Sequence, residues 1–457
     1  MSRGAIRCLI ALAFVLLFFA ARFLFYTHPV IGEEGLFANL FYARPAAPNF
    51  LLLARVDGRE YREPVQHPAA PYLAQEALGR IVGSWVRPES TPAALLIVVA
   101  RWAFSLFQFA VALSLLCLLL RDPLRASWPS IALCFAAFVF PLAVFSSVLL
   151  HMANSAGAFM TALPALAVLA RQRRLWPRAD GLMFFLASVA VGLTRLDWDA
   201  AFVAASCAAI VYAWLQRPRD AAAVKYFALG LAGCLAGNVA SYLVDPANYL
   251  AHVNLFLALG AGPRFPALDA TGGSVLAAIA FRLWLTAPLI IFLLFAVVLF
   301  WKQRGPQALW LLVFPLLLAL GYVSLYWSRG FEYRFFIPAY LAAAVGVFGL
   351  APAIPSRRWK LACVLIALFA ALQFAAFTHH ALSRRTSITF GFGLPVAAYF
   401  PDTPATIARA KQDHCVPILP AWVKYEHPAS NTDFIIPSVG MENAKRIAEK
   451  LGKPLCP

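Results

Sequence analysis

Charge is scarce in this chain, and acidic charge scarcer still: of 457 residues only 13% are charged, with 21 Asp and Glu against 38 Lys and Arg. A water-soluble globular domain carries roughly twice that charged fraction, so an ordinary soluble fold is excluded. None of the eight cysteines lies in a CxxC or Cys/His spacing, which removes the zinc-site reading. Neither a direct nor an inverted internal repeat is apparent, and the repeat architecture of many transporters is therefore not expected. The basic excess, a formal net charge of +17, falls on no soluble basic domain, so no nucleic-acid partner is expected.

What is abundant is apolar sequence, 62% of the chain, gathered in runs able to cross a hydrocarbon core of ~30 Å. The first, Ala5–Phe25, follows Arg3 and contains Arg7. Arg22-Phe23-Leu24-Phe25 offers no small-residue cleavage site, so the run reads as an uncleaved transmembrane helix and not a signal peptide. Further runs cover Ala93–Leu120, Ile131–Leu150, Ala156–Ala170, Gly181–Leu193, Ala200–Leu215, Tyr226–Val244, Val275–Phe300, Ala308–Tyr326, Phe335–Leu350 and Leu361–Phe377. The fifth and sixth are short enough to form a re-entrant hairpin, which would leave the sidedness of the rest unchanged.

An amino terminus in the cytoplasm places Arg121, Arg125, Arg171, Arg173, Arg174, Arg178, Arg217, Arg219, Lys302, Arg304, Arg357, Arg358 and Lys360 on that side. The opposite short loops hold little beyond Arg195, Arg264, Arg329 and Arg334. That asymmetry satisfies the positive-inside rule and explains most of the net charge. Three segments then face outward: a first loop over residues 26–92, a second over 245–274, and a small tail over 378–457. Within the first loop, Asp57-Gly58 is a turn signal. Tyr72–Val82 carries Leu73, Ala77, Leu78 and Ile81 at helical spacing, the pattern of an interfacial amphipathic helix. Residues 248–259 in the second loop and Met441–Leu451 in the tail read as further helices. Six cysteines sit in apolar helices as small buried residues. Cys415 and Cys456 alone lie in the exported tail, where an oxidising compartment would join them.

Just beyond the first helix stand Glu33 and Glu34. Their default reading is interfacial acids ending the helix. A second is a general base, because adjacent carboxylates repel one another and one pKa rises toward the working range. A third is a divalent cation bridging the pair. Tyr61, His67 and Tyr72 follow in a Pro-rich stretch whose fixed backbone aims its side chains; a lone His beside Pro is otherwise an ordinary loop residue. Arg195, Arg329 and Arg334 stand at helix ends, where a paired structural Arg is the default and a phosphate clamp arises when several converge on a cavity. Arg101, deeper in the second helix, is expected to be structurally paired.

Taken together, these stretches resemble a known superfamily. Glu33-Glu34-Gly-Leu-Phe-Ala-Asn is similar to the acidic pair, usually Asp-Glu, that follows the first helix of GT-C glycosyltransferases. Gly58-Arg-Glu-Tyr61 through His67-Pro-Ala-Ala-Pro-Tyr72 to Gly83 resembles the "G…Y…(K/H)-P-P-L-x-Y-x-L…G" segment of lipid A aminoarabinose transferases and other family-39 and family-83 enzymes, and more distantly of protein O-mannosyltransferases. Arg329-Gly-Phe-Glu-Tyr-Arg334-Phe-Phe-Ile-Pro338 resembles their "R-Y-x-L-P" element. The chain departs from the pattern at Glu33, at Ala69 and Ala70, and at Asn154, where many relatives have Asp.

The resemblance implies an all-α polytopic membrane protein with a GT-C fold of about eleven transmembrane helices. It would have interfacial helices in the first periplasmic loop, a transmembrane domain over residues 1–377 and a small periplasmic C-terminal region over 378–457. It implies an enzyme of a bacterial inner membrane, amino terminus cytoplasmic and carboxyl terminus periplasmic. That enzyme would transfer a hexosyl or pentosyl group, with inversion, from a polyprenyl-phosphate sugar to a lipid, glycan or protein acceptor in cell-envelope glycan synthesis. Glu33 becomes the base and Glu34 its partner. Tyr61, His67, Tyr72, Arg195, Arg329 and Arg334 become donor-binding residues. No cofactor is implied beyond a divalent cation that Glu33 and Glu34 would hold. Two other classes fit a polytopic chain. A transporter or lipid flippase would need ionisable residues at mid-membrane, whereas the charges here gather at helix ends. An O-antigen polymerase or ligase would carry its arginines in a large late loop and not an acid pair in the first.

Overall fold

A computed structural model of the chain describes residues 3–26, 50–56, 59–64, 159–261, 275–326, 336–350, 364–373, 403–419, 433–435, 441–450 and 452–456, with single positions or short pieces between 73 and 114 and at 357, 361 and 375. Of the apolar runs, 131–150 lies outside the described residues, and the others are helical wherever they are described. The helices are α1 (Arg3–Tyr26), α2 (Ala162–Gln172), α3 (Asp180–Gly192), α4 (Leu196–Leu215), α5 (Ala221–Val244), α6 (Pro246–Ala261), α7 (Val275–Lys302), α8 (Pro306–Tyr326), α9 (Ile337–Leu350), α10 (Thr403–Gln412) and α11 (Met441–Lys450).

Helices α4 and α5 are apolar around their whole circumference. Phe202, Ala205 and Ala209 of α4 are buried, while Val203, Val211, Trp214 and Leu215 are exposed; α5 likewise exposes Leu229, Leu235, Val239 and Leu243. Such outward faces are stable only in an apolar solvent. Among the described residues these are the two helices long and apolar enough to cross a bilayer. The expected count of about eleven transmembrane helices is thus not established by the described residues. The expected short pair resolves unequally. Helix α3 has 13 residues and stays short, whereas α4 has 20 because it begins four residues before Ala200. Asp197 and Asp199 hid that first turn from a hydropathy reading. They belong there, since carboxylates are favourable at a helix amino terminus.

The bundle core is aromatic. Trp310 of α8 stacks on Phe314, and its edge meets Phe184 and Phe202; its indole N–H donates to Ser206 Oγ at 3.1 Å, so no polar atom of the ring is stranded. Small residues let helix backbones touch. A Cβ added to Gly237 would lie 2.4 Å from the Val189 carbonyl oxygen, and one added to Gly192 would lie 2.2 Å from that of Cys234. Helices α3 and α5 are therefore in backbone contact, the packing that Gly permits and any larger residue forbids. Between Ile337 and Val347, α9 is buried on every side.

The loop from α2 to α3 closes with a non-glycine residue in the left-handed region. Arg174 has φ 51°, and the Leu175 N–H returns to the Ala170 carbonyl at 3.0 Å. This is the helix-ending motif in which Gly is the default, and a side chain there costs about 1 kcal/mol.

The all-α expectation needs a correction, because the chain also forms a three-stranded antiparallel sheet of order β2-β1-β3. Strands β1 (Phe50–Val56) and β2 (Arg59–Pro64) flank the Asp57-Gly58 turn signal, and β3 (Phe434–Ile435) comes from the tail. Ala54 pairs with Ile435 and Arg55 with Phe434. Val56 packs into a small core with Val416, Ile435, Ala444 and Ala448. Leu51, Leu53 and Val56 gave no clean alternation on which to predict strands. Strands β1 and β2 of the first loop thus fold as one unit with the described part of the tail, so no bilayer runs between them. The expected tail helix is present as α11, whereas α10 is an addition. Leu73, Ala77 and Ile81 are helical, as the amphipathic spacing predicts.

Cys415 and Cys456 form the expected disulfide, their Cα atoms 5.0 Å apart and 41 residues separated in sequence. In the chain-entropy treatment a loop of that length is worth about 4 kcal/mol. Two outcomes follow for protein taken from its native membrane. A reporter fused after Pro457 will be active outside the cytoplasm, and non-reduced peptide mapping will recover Cys415 linked to Cys456. Free thiols at both positions, or a reporter active only inside, would contradict the outward placement of this unit.

Candidate functional site

At the carboxyl end of α3 the chain turns through Leu193, Thr194 and Arg195 into α4. The Thr194 hydroxyl donates back to the Val191 carbonyl at 2.6 Å. Arg195 caps α4 in extended backbone, and its carbonyl accepts from the Trp198 and Asp199 amides at 3.2 and 3.1 Å. Its guanidinium grips Asp197 with both arms, Nε to Oδ1 at 2.9 Å and Nη2 to Oδ2 at 3.1 Å. The group also lies 5.4 Å from the Trp198 ring centroid. Both charged side chains are almost enclosed, 3% and 9% exposed. Removing one partner of such a pair strands the other charge at a cost of about 3–5 kcal/mol.

Helix α6 supplies the facing wall. Its first turn is set by Pro246 and by Asp245, whose Oδ1 accepts from the Asn248 amide at 3.0 Å. His252 Nε2 accepts from the Leu196 N–H at 3.2 Å, satisfying one of the orphan donors at the start of α4. One turn earlier Asn248 is 2% exposed, and neither its amide nitrogen nor its oxygen has a partner among the described residues. Tyr249 donates to Asn238 Oδ1 at 3.0 Å, and Asn238 Nδ2 donates to the Cys234 carbonyl at 3.0 Å. Burial, with the neighbouring Asp199 adding to it, holds the Tyr249 phenol above its usual range, so it remains a donor. Asp199 Oδ1 lies 3.8 Å from the Cys234 thiol. Behind these groups the Trp198 indole N–H donates to the Tyr322 hydroxyl of α8.

The result is a buried polar cluster built on the α3–α4 turn, α5 and α6. An unpaired buried amide such as that of Asn248 costs about 1–3 kcal/mol until a polar ligand or water completes it. A hydroxyl-bearing ligand, able to donate and accept at once, is the chemistry that matches a carboxamide. Among the described residues no group of three or more His, Cys, Asp or Glu could hold a metal ion.

Of the candidate catalytic and donor-side residues, Arg195 is the one whose side chain is described. It adopts the paired geometry that was its default. Tyr61 falls on β2 opposite Ala54. Glu33, Glu34, His67, Tyr72, Arg329 and Arg334 lie outside the described residues. His252, Asn248, Asn238 and Tyr249 were not anticipated. A signal existed for two of them: Asn248 and His252 stand four apart, on one face of a mostly apolar helix. Arg101 is 2% exposed, and its backbone carbonyl accepts from the Ser105 hydroxyl at 3.0 Å.

No family model matches the chain, and no curated protein matches it. Solved structures do. The Archaeoglobus fulgidus oligosaccharyltransferase tethered with an acceptor peptide containing the NVT sequon aligns with TM-score 0.52 and 14% identity, covering 98% of this chain and 68% of that one. Its apo form gives TM-score 0.53 and 13% identity, covering 97% and 65%. Archaeal oligosaccharyltransferase AglB from the same organism, in complex with an inhibitory peptide and a dolichol-phosphate, gives 0.53 and 14%, covering 98% and 68%. This chain therefore spans about two thirds of the length of those structures, and the likeness runs nearly end to end of it. The fold is GT-C.

Substitutions in the cluster separate its parts. Asp197→Asn will lower the thermal midpoint of purified protein more than His252→Ala. The first strands a buried guanidinium, about 3–5 kcal/mol; the second removes a neutral cap, about 1–2 kcal/mol. Intrinsic tryptophan fluorescence on heating measures both, and equal midpoints would contradict the buried pair.

Proposed function

We propose that this chain is a membrane-embedded glycosyltransferase that moves a sugar from a polyprenyl-phosphate donor to an acceptor on the outer face of a bacterial inner membrane. The observation that carries the reading is the GT-C fold over almost the whole chain. Fold alone does not assign chemistry. The reading is supported by the acid pair after the first apolar helix, by the buried polar cluster, and by the dolichol-phosphate and acceptor peptide held in the solved neighbours. Exposed leucines along α4 and α5 support the membrane setting.

In this scheme a polyprenyl phosphate leaves without acid assistance once its charge is held. His67, Arg329 and Arg334 hold it, with Tyr61 and Tyr72 lining the donor's path. Arg195, doubly bonded to Asp197, carries less net charge and serves the donor side as half of that pair. Glu33 takes the acceptor's proton as the acceptor oxygen or nitrogen attacks the anomeric carbon, and the phosphate departs with inversion. Glu34 tunes Glu33 or contacts the acceptor. A divalent cation, where the acid pair holds one, would add positive charge beside the leaving phosphate. The Asn248 carboxamide meets a sugar hydroxyl. The acceptor, whether lipid, glycan or protein, is reached from the side on which the loop–tail unit stands.

Incubating purified protein with radiolabelled polyprenyl-phosphate sugars tests this directly, and transfer or slow donor hydrolysis is expected with at least one. Glu33→Gln keeps the shape and removes the base, so turnover will fall by about 10²–10⁴. Glu34→Gln will cost less, and His67→Ala will chiefly raise the donor KM. Near-full turnover in a normally folded Glu33→Gln variant would overturn the assigned base.

A further inference from the structure

The loop between α2 and α3, on the side that the arginine bias assigns to the cytoplasm, encloses a cleft of about 410 Å³. Arg171, Gln172, Arg174, Trp176, Asp180 and Gln307 line it. Two arginines share one cleft, but they are not equivalent. Arg171 is committed to the fold: its Nη1 donates to Asp180 Oδ2 at 2.6 Å, its Nη2 to the Ala222 carbonyl at 3.1 Å, and its guanidinium lies 4.2 Å over the Tyr226 ring. Arg174 is not committed. Its guanidinium has neither an ion pair nor a hydrogen bond among the described residues. It also occupies the left-handed position at φ 51°, where Gly would serve the turn better. Arg174 is exposed and lines the cleft; a residue costly to the turn, with its charge uncommitted beside that cleft, points to a ligand.

The surroundings define the ligand. Asp180 neutralises Arg171, so the lining side chains retain the single positive charge of Arg174. Gln172 and Gln307 add amide groups, and Trp176, 41% exposed, is the side chain favoured where head groups meet acyl chains. From the cleft, α3 runs away with Leu182 and Leu186 on one face, 60% and 56% exposed, an apolar track one turn apart. A monoanionic phosphate beside an apolar track is the head group of a phospholipid. We infer that this cleft binds the head group of an anionic phospholipid from the inner leaflet, with Arg174, the uncompensated charge of the lining, favouring a net-negative head group over a zwitterionic one. The site stands apart from the outer cluster and does not depend on what that cluster transfers.

The test compares full-length detergent-purified protein with dioleoylphosphatidylglycerol, dioleoylphosphatidylcholine or inorganic phosphate added. Native mass spectrometry counts bound lipid, and tryptophan fluorescence follows the melt. Phosphatidylglycerol is expected to remain bound and to raise the midpoint by about 2–4 °C, with little from phosphatidylcholine. Arg174→Gly suits the backbone and will leave the lipid-free midpoint unchanged or higher, yet it will lose the phosphatidylglycerol shift. Arg174→Lys will keep most of it. Equal shifts from the two lipids, or a full shift in Arg174→Gly, would overturn the assignment. An equal shift from inorganic phosphate would make the cleft a free-anion site and overturn the lipid source.

Discussion

Gly192 on α3 and Gly237 on α5 bring two helix backbones into contact, and the polar cluster follows from that approach. With a Cβ at either position the helices would separate, because the atoms in the way are backbone carbonyls of the opposite helix and cannot swing aside. The contact delivers the α3–α4 turn to the flank of α5, where Asn238, Cys234 and Ser241 meet it. Helix α6 then closes over the turn, and His252 caps α4 from there. In a hydrocarbon solvent no hydrophobic force drives helices together, so small residues and interhelical hydrogen bonds have to do so. The same few residues therefore serve both packing and site.

Polar groups within an apolar bundle are tolerated only when each finds a partner. Most of the cluster obeys that rule, from the Arg195–Asp197 fork to the Tyr249–Asn238 bond. Asn248 does not, with both amide atoms buried and unpartnered among the described residues. An exception of this kind inside an otherwise satisfied network marks the place where a polar ligand completes the structure. At the opposite end of α3 Arg171 is saturated while Arg174 has no side-chain partner among the described residues.

The sheet that joins the first loop to the tail constrains the chemistry in another way. Tyr61 stands on a strand whose hairpin is pinned by β3 and, through Val416, by the Cys415–Cys456 disulfide. The strands of a loop proposed to carry donor-side residues are thus tethered to a covalently closed unit, which would limit the conformational entropy lost on binding the proposed lipid donor.

Hydropathy by itself announced the apolar solvent and the described helices, and charge asymmetry supplied the proposed sidedness. Hydropathy and charge are additive along a chain, so runs such as Tyr226–Val244 and the arginines after Ala170 announce themselves without neighbours. The pairing of Cys415 with Cys456 was legible for a similar reason, as the two cysteines of the sequence that fall outside its apolar runs. Motif order carried the GT-C resemblance, which the solved structures match. Tertiary structure alone decided that His252 caps a helix 56 residues away, and that two residues of the tail complete a sheet begun near residue 50. Those are long-range pairings, in which the partner is chosen by packing geometry and by the need to satisfy buried polar groups. Neither quantity is a property of any one segment, so neither could be read before the segments met.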